Sequence, residues 1–195
     1  MEKKSCLKIL ILLFIPVFVT AQQPDKPITL NNLCLMQATI SPGYMFYHGG
    51  LSNSYFHATL EWCFDKRTSI RADGSYFFTT QGEYKPFMKN HSLLLGAFYH
   101  FPKNKRDYYF GLQPGAACVQ QTSYTYGTTD VLNPKLKVAP ILTTTIGVNY
   151  FFWKYMNLFL GIKYIHGTHI PDYGESIPLD ELRISGGLGF HWQKK

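Results

Sequence analysis

Long apolar runs are scarce in this 195-residue chain. The longest, from Ile9 to Val19, is interrupted by Pro16 and is shorter than the ~20 residues that a transmembrane helix needs. No other window resembles such a helix. If the protein crosses a membrane, it must therefore do so as a closed β-barrel, because only helices and barrels satisfy all backbone hydrogen bonds in lipid.

Cysteine is also rare. Cys6 precedes the apolar run, and only Cys34, Cys63 and Cys118 follow it. An odd number argues against a full disulfide framework, although a bridge between Cys34 and Cys63 at one end of the molecule stays an open alternative. No Cys/His cluster has the spacing of a zinc site, and no Gly-rich phosphate loop or paired-carboxylate motif occurs. We therefore expect no metal and no cofactor.

Residues 1–21 have the pattern of a cleaved secretory signal peptide. Three lysines form the basic end, the apolar run follows, and Val19-Thr20-Ala21 is a small-residue cleavage site. Cleavage would leave residues 22–34 as a short periplasmic segment and residues 35–195 as one domain. The alternative, an uncleaved anchor helix, is disfavoured because the apolar run is too short to span a bilayer.

Basic residues exceed acidic ones, and the formal net charge is +7. The signal peptide holds three Lys and one Glu, so its removal leaves +5. Much of this excess falls in predicted short turns and at the C-terminus, whereas nucleic-acid binding needs basic residues gathered on one surface with stacking aromatics. We therefore expect no nucleic-acid partner.

Eight segments alternate between apolar and polar residues with the period of a β-strand. They cover residues 35–47, 54–64, 69–79, 91–101, 108–120, 139–151, 157–167 and 181–192. Most connectors after odd-numbered segments are longer than those after even-numbered ones, as in outer-membrane barrels with short periplasmic turns and long external loops. The predicted fold is all-β: an eight-stranded antiparallel transmembrane β-barrel with both ends on the periplasmic side.

The alternation alone does not determine which face points outward, because a soluble barrel such as a lipocalin buries its apolar face. Here the polar face is mostly Gly, Ser, Thr, Asn and Gln, whereas a water-exposed exterior would be richer in Lys and Glu. Small polar residues suit the narrow interior of an eight-stranded barrel. Aromatic residues also gather near the strand ends, as at a bilayer interface. The predicted periplasmic girdle consists of Trp62, Phe64, Phe110, Phe190 and Trp192.

Few charged residues have the parity of the inward face. They are Glu61, Arg71, Asp73, Lys163 and Arg183. Glu61 should lie across a tight hairpin from Arg71 or Asp73, and Lys163 and Arg183 should lie on adjacent strands. Because unpaired charges in a narrow lumen are costly, we expect a salt-bridged polar plug, with a small ion pathway as the alternative.

The chain resembles the small outer-membrane β-barrel proteins of the OmpA/OmpX kind, especially the uncharacterised ones of Bacteroidetes-type bacteria. The resemblance covers residues 35–192 and rests on the signal, the strand rhythm and the final segment from Ile184 to Trp192. A typical barrel ends on its last aromatic, whereas this chain continues to Lys195. The resemblance implies a Gram-negative outer membrane, contact with lipid and lipopolysaccharide, and insertion by the barrel-assembly machinery. It also implies a structural or surface-binding role, in which loops 121–138 and 168–180 meet an unknown external ligand.

One group of residues suggests chemistry instead. His166, Thr168 and Asp180 share the parity of the outward face near the external rim, and an imidazole, a hydroxyl and a carboxylate are the parts of an acyl-transfer site. The arrangement is similar to that of the lipid A deacylases, which are eight-stranded barrels with a His-x-Ser pair on a late strand and an acid on the next.

That second resemblance implies His166 as the base, Thr168 in place of the serine nucleophile, and Asp180 or Glu181 as the orienting acid. Thr instead of Ser is a departure, and so is His169 where those enzymes usually have Asn. We expect a barrel without catalytic activity, with lipid A deacylation and a narrow channel as the alternatives.

Overall fold

The computed structural model describes residues 30–46, 50–82, 85–122, 135–170 and 176–193. No helix in these ranges is long and apolar enough to cross a bilayer. The strands are β1 (Leu33–Met45), β2 (Leu51–Cys63), β3 (Thr68–Gln81), β4 (Phe87–Lys103), β5 (Arg106–Gln121), β6 (Lys137–Phe151), β7 (Met156–His169), β8 (Ile177–Pro178) and β9 (Glu181–Gln193). Eight of them are long, and each contains most of one predicted segment.

The long strands form one closed antiparallel barrel. Each pairs with its neighbour in the chain, β7 pairs with β9, and β1 pairs with β9 to close the sheet. The two-residue β8 pairs with the outer end of β7. Short connections at 64–67, 104–105 and 152–155 lie at one end of the barrel, together with the start of β1 and the end of β9. The predicted eight-stranded antiparallel barrel is confirmed.

Several strand boundaries differ from those predicted from the sequence. Strand β1 begins at Leu33, two residues before the expected start, and Leu30 is already buried, so part of the predicted periplasmic segment 22–34 packs into the barrel. Strand β7 extends to His169, and β8 lies inside the predicted external loop 168–180. Residues 1–29 lie outside the described part of the chain, so the signal peptide stays a prediction.

Side-chain exposure shows which face of the barrel is outside. On β7, Leu160 is 54% exposed and Ile162 39%, whereas Lys163, the residue after Ile162, is only 4% exposed. The same alternation recurs on the other long strands, with large apolar residues outward and polar residues inward. This is the reverse of a soluble barrel and requires an apolar surrounding. The predicted girdle residues are all exposed: Trp62, Phe64, Phe110, Phe190 and Trp192.

Candidate functional site

The polar interior is built in layers, and the lowest lies nearest the short-turn end. Here Glu61 and Arg71 face each other across the β2–β3 ladder, with Arg71 Nη2 2.6 Å from Glu61 Oε2. The Arg71 guanidinium lies in the corner between two rings, 4.0 Å from the centre of Phe98 and 4.2 Å from that of Tyr109. The carboxylate satisfies one edge of the cation, and both rings lie within cation–π distance of it.

Two further strands join this lower layer through His100 of β4 and Asp107 of β5. The two imidazole nitrogens of His100 face two different carboxylates: Nε2 is 3.0 Å from Glu61 Oε1, and Nδ1 is 2.8 Å from Asp107 Oδ2. The Ser69 hydroxyl donates to Glu61 Oε1 over 2.5 Å and lies 2.8 Å from His100 Nε2. Each of these four side chains is at most 1% exposed, so the layer is shielded from water.

The middle layer is centred on Asp73. Its Oδ2 lies 2.5 Å from Lys163 Nζ and accepts a 2.8 Å hydrogen bond from Gln113 Nε2, and its Oδ1 accepts one of 2.5 Å from Thr59. His57 Nε2 lies 2.8 Å from Lys163 Nζ. These contacts connect β2, β3, β5 and β7 across the lumen, so they hold strands that are not neighbours in the sheet.

The upper layer is an ion pair within β9. Arg183 Nη2 lies 2.7 Å from Glu181 Oε2, and the guanidinium carbon is 3.7 Å from the centre of the Tyr55 ring. The Tyr55 hydroxyl is 2.9 Å from both Glu181 oxygens, and Asn53 Nδ2 donates to Oε1 over 2.9 Å. Glu181 therefore points inward and is 1% exposed. Its alternative assignment as the acid beside His166 is wrong, because residue 181 has the inward parity of Arg183.

Apolar side chains close the polar layers from above and below. The upper cluster includes Met45, Leu51, Phe77, Phe87, Val119, Ile141, Ile165, Ile177 and Leu179. The lower cluster consists of Leu30, Leu33, Leu35, Cys63 and Phe151. The interior of the described barrel is therefore filled by a buried polar core with paired charges, which lies between two apolar clusters.

The outward His166 and Asp180 meet at the external rim. His166 Nδ1 lies 2.6 Å from Asp180 Oδ1, with the side chains 66% and 28% exposed. Thr168 is also exposed on the outer face of β7, opposite Pro178 of β8. Among the described residues, no hydrogen bond joins its hydroxyl to His166. The structure thus brings the imidazole and the carboxylate together, while the hydroxyl is not bonded to the imidazole as an activated nucleophile would be.

No disulfide joins any of the three described cysteines, Cys34, Cys63 and Cys118. Cys34 pairs with Trp62 in the β1–β2 ladder and shares its outward face, whereas Cys63 is fully buried on the inward face. The disulfide considered between them is not formed, because neighbouring strand positions project to opposite sides of the wall.

Sequence reasoning missed part of the lumen network. His57, His100 and Asp107 were not assigned to it, although each has inward parity on its strand. The predicted segment begins at residue 108 and leaves Asp107 in a turn, whereas β5 begins at Arg106 and includes it. His100 follows the Leu93-Leu94-Leu95 run, which hides the alternation of β4. Extending the parity of the fifth segment by one residue would have found Asp107, and following the parity of the fourth segment past the leucine run would have found His100.

Comparisons with known proteins show which solved structures share this fold. No protein-family model matches this chain, and no curated protein is detectably similar to it. Solved barrels do match. The Neisserial surface protein NspA matches at 12% sequence identity and a TM-score of 0.61, over 84% of this chain and 98% of that chain. The outer membrane protein OprG of Pseudomonas aeruginosa matches at 11% sequence identity and a TM-score of 0.61, over 84% of this chain and 97% of that chain. Ail of Yersinia pestis matches at 11% identity and a TM-score of 0.55 over 83% and 99%.

At such low identity these matches concern the fold. The three proteins are small eight-stranded outer-membrane barrels, and the apolar outer wall of this chain requires a lipid surrounding. This chain has the fold of the small eight-stranded outer-membrane β-barrel proteins.

Proposed function

We propose that the protein is a structural or surface-binding barrel of the outer membrane without catalytic activity. The observation that carries this proposal is the layered core between the two apolar clusters. In it, Glu61, Asp73 and Glu181 each form an ion pair with a basic side chain. Buried groups that satisfy one another stiffen a barrel and leave no open bore. The outer wall and the external loops then remain as the surfaces for partners.

The expected partners follow from these surfaces. Lipid and lipopolysaccharide cover the apolar wall, and the barrel-assembly machinery inserts the chain. An external ligand would meet loops 121–138 and 168–180, of which residues 123–134 and 171–175 lie outside the described part. The fold is compatible with such a role, since Ail has been crystallised in complex with the heparin analogue sucrose octasulfate.

Single-channel recording tests the closed core. The purified barrel is inserted into planar bilayers, and we expect no resolved conductance steps from the wild type. As a positive control, a Lys163→Ala/Arg183→Ala variant removes two buried cations that lie opposite each other in the β7–β9 ladder, and this should produce flickering openings. Stable openings of the wild-type protein would contradict the proposal and favour the narrow channel.

A surface-binding role is tested on cells. Cells that express the wild type are compared with cells in which residues 123–134 are replaced by a short Gly-Ser turn, and adhesion to heparin-coated beads is counted. Loss of adhesion with unchanged surface expression supports ligand binding by this loop. Equal adhesion of both strains leaves the structural role as the remaining part of the proposal.

Lipid A hydrolysis is the second candidate, and the 2.6 Å contact between His166 and Asp180 is the observation in its favour. A carboxylate that orients an outward imidazole at headgroup level is part of what an acyl hydrolase needs. Mass spectrometry of lipid A compares cells with the wild type, with Thr168→Ala and with the matched outward control Thr144→Ala. We expect identical acylation in all three. An acyl chain removed by the wild type and by Thr144→Ala, but not by Thr168→Ala, would establish the enzyme.

A further inference from the structure

Three buried side chains that can ligate a metal converge just below the Glu61–Arg71 pair. Glu61 and Cys63 lie two positions apart on the inward face of β2, and His100 reaches them from β4. One ligand atom of each lies within 4.8 Å of the other two, and none of the three residues is exposed. We propose that Glu61, Cys63 and His100 form a structural site for one transition-metal dication, with Zn²⁺ as the best chemical match.

The donor types and the spacing fit zinc. Thiolate, imidazole and carboxylate are its usual protein ligands, and bonds of about 2.0–2.3 Å in a tetrahedron separate ligand atoms by about 3.3–3.8 Å. His100 Nε2 and Glu61 Oε1 are 3.0 Å apart, slightly closer than two ligands of one zinc ion, and the Cys63 sulfur lies within 4.8 Å of both. A small separation of the first two atoms and an approach by the sulfur would complete the three-ligand arrangement. The thiolate favours zinc over calcium or magnesium, which prefer oxygen ligands.

The imidazole is already oriented for metal binding. Asp107 Oδ2 lies 2.8 Å from His100 Nδ1, which directs Nε2 towards Glu61 and Cys63. A carboxylate on the far nitrogen is the usual partner of a metal-binding histidine. Asp107 is itself held by Asn149 Nδ2 at 3.2 Å, so its orientation does not depend on the metal. The Ser69 hydroxyl is hydrogen-bonded to Glu61 Oε1 and lies 2.8 Å from His100 Nε2, so it also fixes the orientation of these two ligands.

The local charges also favour a dication. When metal displaces the proton of the Cys63 thiol and His100 is neutral, the Glu61 and Asp107 carboxylates and the thiolate carry three negative charges, and the neighbouring Arg71 supplies one positive charge. A divalent metal makes this bound layer neutral. Asp107 Oδ1 is buried and has no hydrogen-bond partner among the described residues, which indicates that this layer has an excess of acceptors.

The surroundings make the site closed rather than catalytic. Cys63 belongs to the lower apolar cluster with Leu33, Leu35 and Phe151, which separates the ligands from the periplasmic end. No position is left open to a substrate, so the metal would join β2 to β4 and stabilise the floor of the barrel. Because the site is buried in the folded barrel, metal would enter while the chain folds.

Cobalt is the probe, because Co²⁺ bound by a thiolate gives a charge-transfer absorption band. The full mature barrel is refolded into detergent with Co²⁺ and freed of unbound metal by gel filtration. We expect about one Co²⁺ per barrel with that band, and about one Zn²⁺ when Zn²⁺ is used. Metal analysis of barrel purified from outer membranes should show the same stoichiometry of Zn²⁺.

Variants locate the metal. Cys63→Ser and His100→Gln should lose the charge-transfer band and at least ten-fold in bound metal. Cys118→Ser, which removes a thiol from the outward series of β5, should keep both. Heat-modifiable gel migration confirms that each variant has folded. The proposal is overturned if wild-type barrel refolded with Co²⁺ or Zn²⁺ retains none, or if folded Cys63→Ser keeps the same band. The wild-type stoichiometry decides the matter even where a variant fails to fold.

Discussion

Glu61 and Arg71 occupy the same rung of the β2–β3 ladder, with Arg71 Nη2 2.6 Å from Glu61 Oε2. Because side chains alternate between faces, a register slip by one residue would move one of these charges into the hydrocarbon. The pair therefore selects one register of the hairpin as well as filling the lumen. A buried ion pair of this kind contributes to specificity more surely than to net stability.

Breaking this pair should destabilise the barrel strongly. Arg71→Met leaves the buried Glu61 carboxylate without its guanidinium, and we expect a loss of about 3–5 kcal/mol in the free energy of unfolding. Urea unfolding in lipid vesicles, followed by tryptophan fluorescence, measures the change.

Two controls accompany that measurement. The double variant Glu61→Gln/Arg71→Met should recover part of the loss, because no uncompensated carboxylate remains at that rung. Lys66→Ala, in an exposed turn, should change the free energy of unfolding by no more than about 0.5 kcal/mol. The ion-pair account fails if Arg71→Met is as stable as Lys66→Ala.

The free-energy cost of a charged residue on the outer wall should depend on its depth in the bilayer. Leu160 lies in the middle of β7, whereas Phe64 lies in one of the short turns at the end of the barrel. Leu160→Arg should cost about 2–4 kcal/mol and Phe64→Arg about 0–1 kcal/mol, because only the first charge enters the hydrocarbon core. The same vesicle unfolding assay compares them. Equal costs at the two depths would argue against this placement of the bilayer.

Close packing beneath Phe98 should make Gly111 sensitive to substitution. A methyl group at Gly111 would overlap the Phe98 ring, which covers one face of Arg71, whereas a methyl group at Gly74 on β3 would meet no atom within 4 Å. Gly111→Ala should cost about 1–3 kcal/mol through forced displacement of the ring. Gly74→Ala should be neutral or slightly stabilising. Thermal unfolding compares the two, and a neutral Gly111→Ala would show that the ring moves freely.

The stability of the turn at residues 64–67 should depend on pH through Asp65. Its Oδ1 accepts backbone hydrogen bonds from Arg67 at 2.6 Å and Thr68 at 2.7 Å, and these hold the pKa of the carboxyl below its ordinary value. The stabilisation is therefore complete above the ordinary pKa of an aspartate and is lost as pH falls through the lowered value.

The measurement compares the wild type with Asp65→Ala across the acid range. The wild type should be the more stable at neutral pH, and the difference should shrink in strong acid, where the protonated carboxyl keeps an acceptor oxygen but loses its charge. Asp65→Asn, which keeps an acceptor oxygen without the charge, should lie between the two at neutral pH. A stability difference that stays constant at every pH would show that the carboxylate charge has no role in the turn.

The fold was predictable because its signal is local. The alternation from Leu182 to Trp192 reports both the strand and its two environments, and the contact between Glu61 and Arg71 follows from a short hairpin. The contact of Lys163 with Asp73 was not predictable, since it joins non-neighbouring strands across the lumen. It depends on the shear of the closed sheet and on side-chain rotamers, neither of which leaves a pattern in the sequence.

Two residues at strand ends show a second limit of prediction from sequence, because neither was predicted to face the lumen. Glu181 and Asp107 stand at strand ends, where the strand boundary decides whether the parity applies. The convergence of Cys63 and His100 was hidden for a different reason. Zinc motifs are recognised by short spacings along the chain, whereas these two ligands lie on β2 and β4, with β3 between them in the sheet.

The central claim is that lipid, not water, covers the apolar wall, and site-directed spin labelling tests it most directly. Nitroxides are attached to single cysteines at Leu160 and, as a control, at Lys154 in a short turn, in barrels without other cysteines in lipid vesicles. At Leu160 we expect relaxation by oxygen to exceed relaxation by an aqueous nickel complex, with the reverse order at Lys154. Preferential relaxation by nickel at Leu160 would contradict the membrane-spanning barrel.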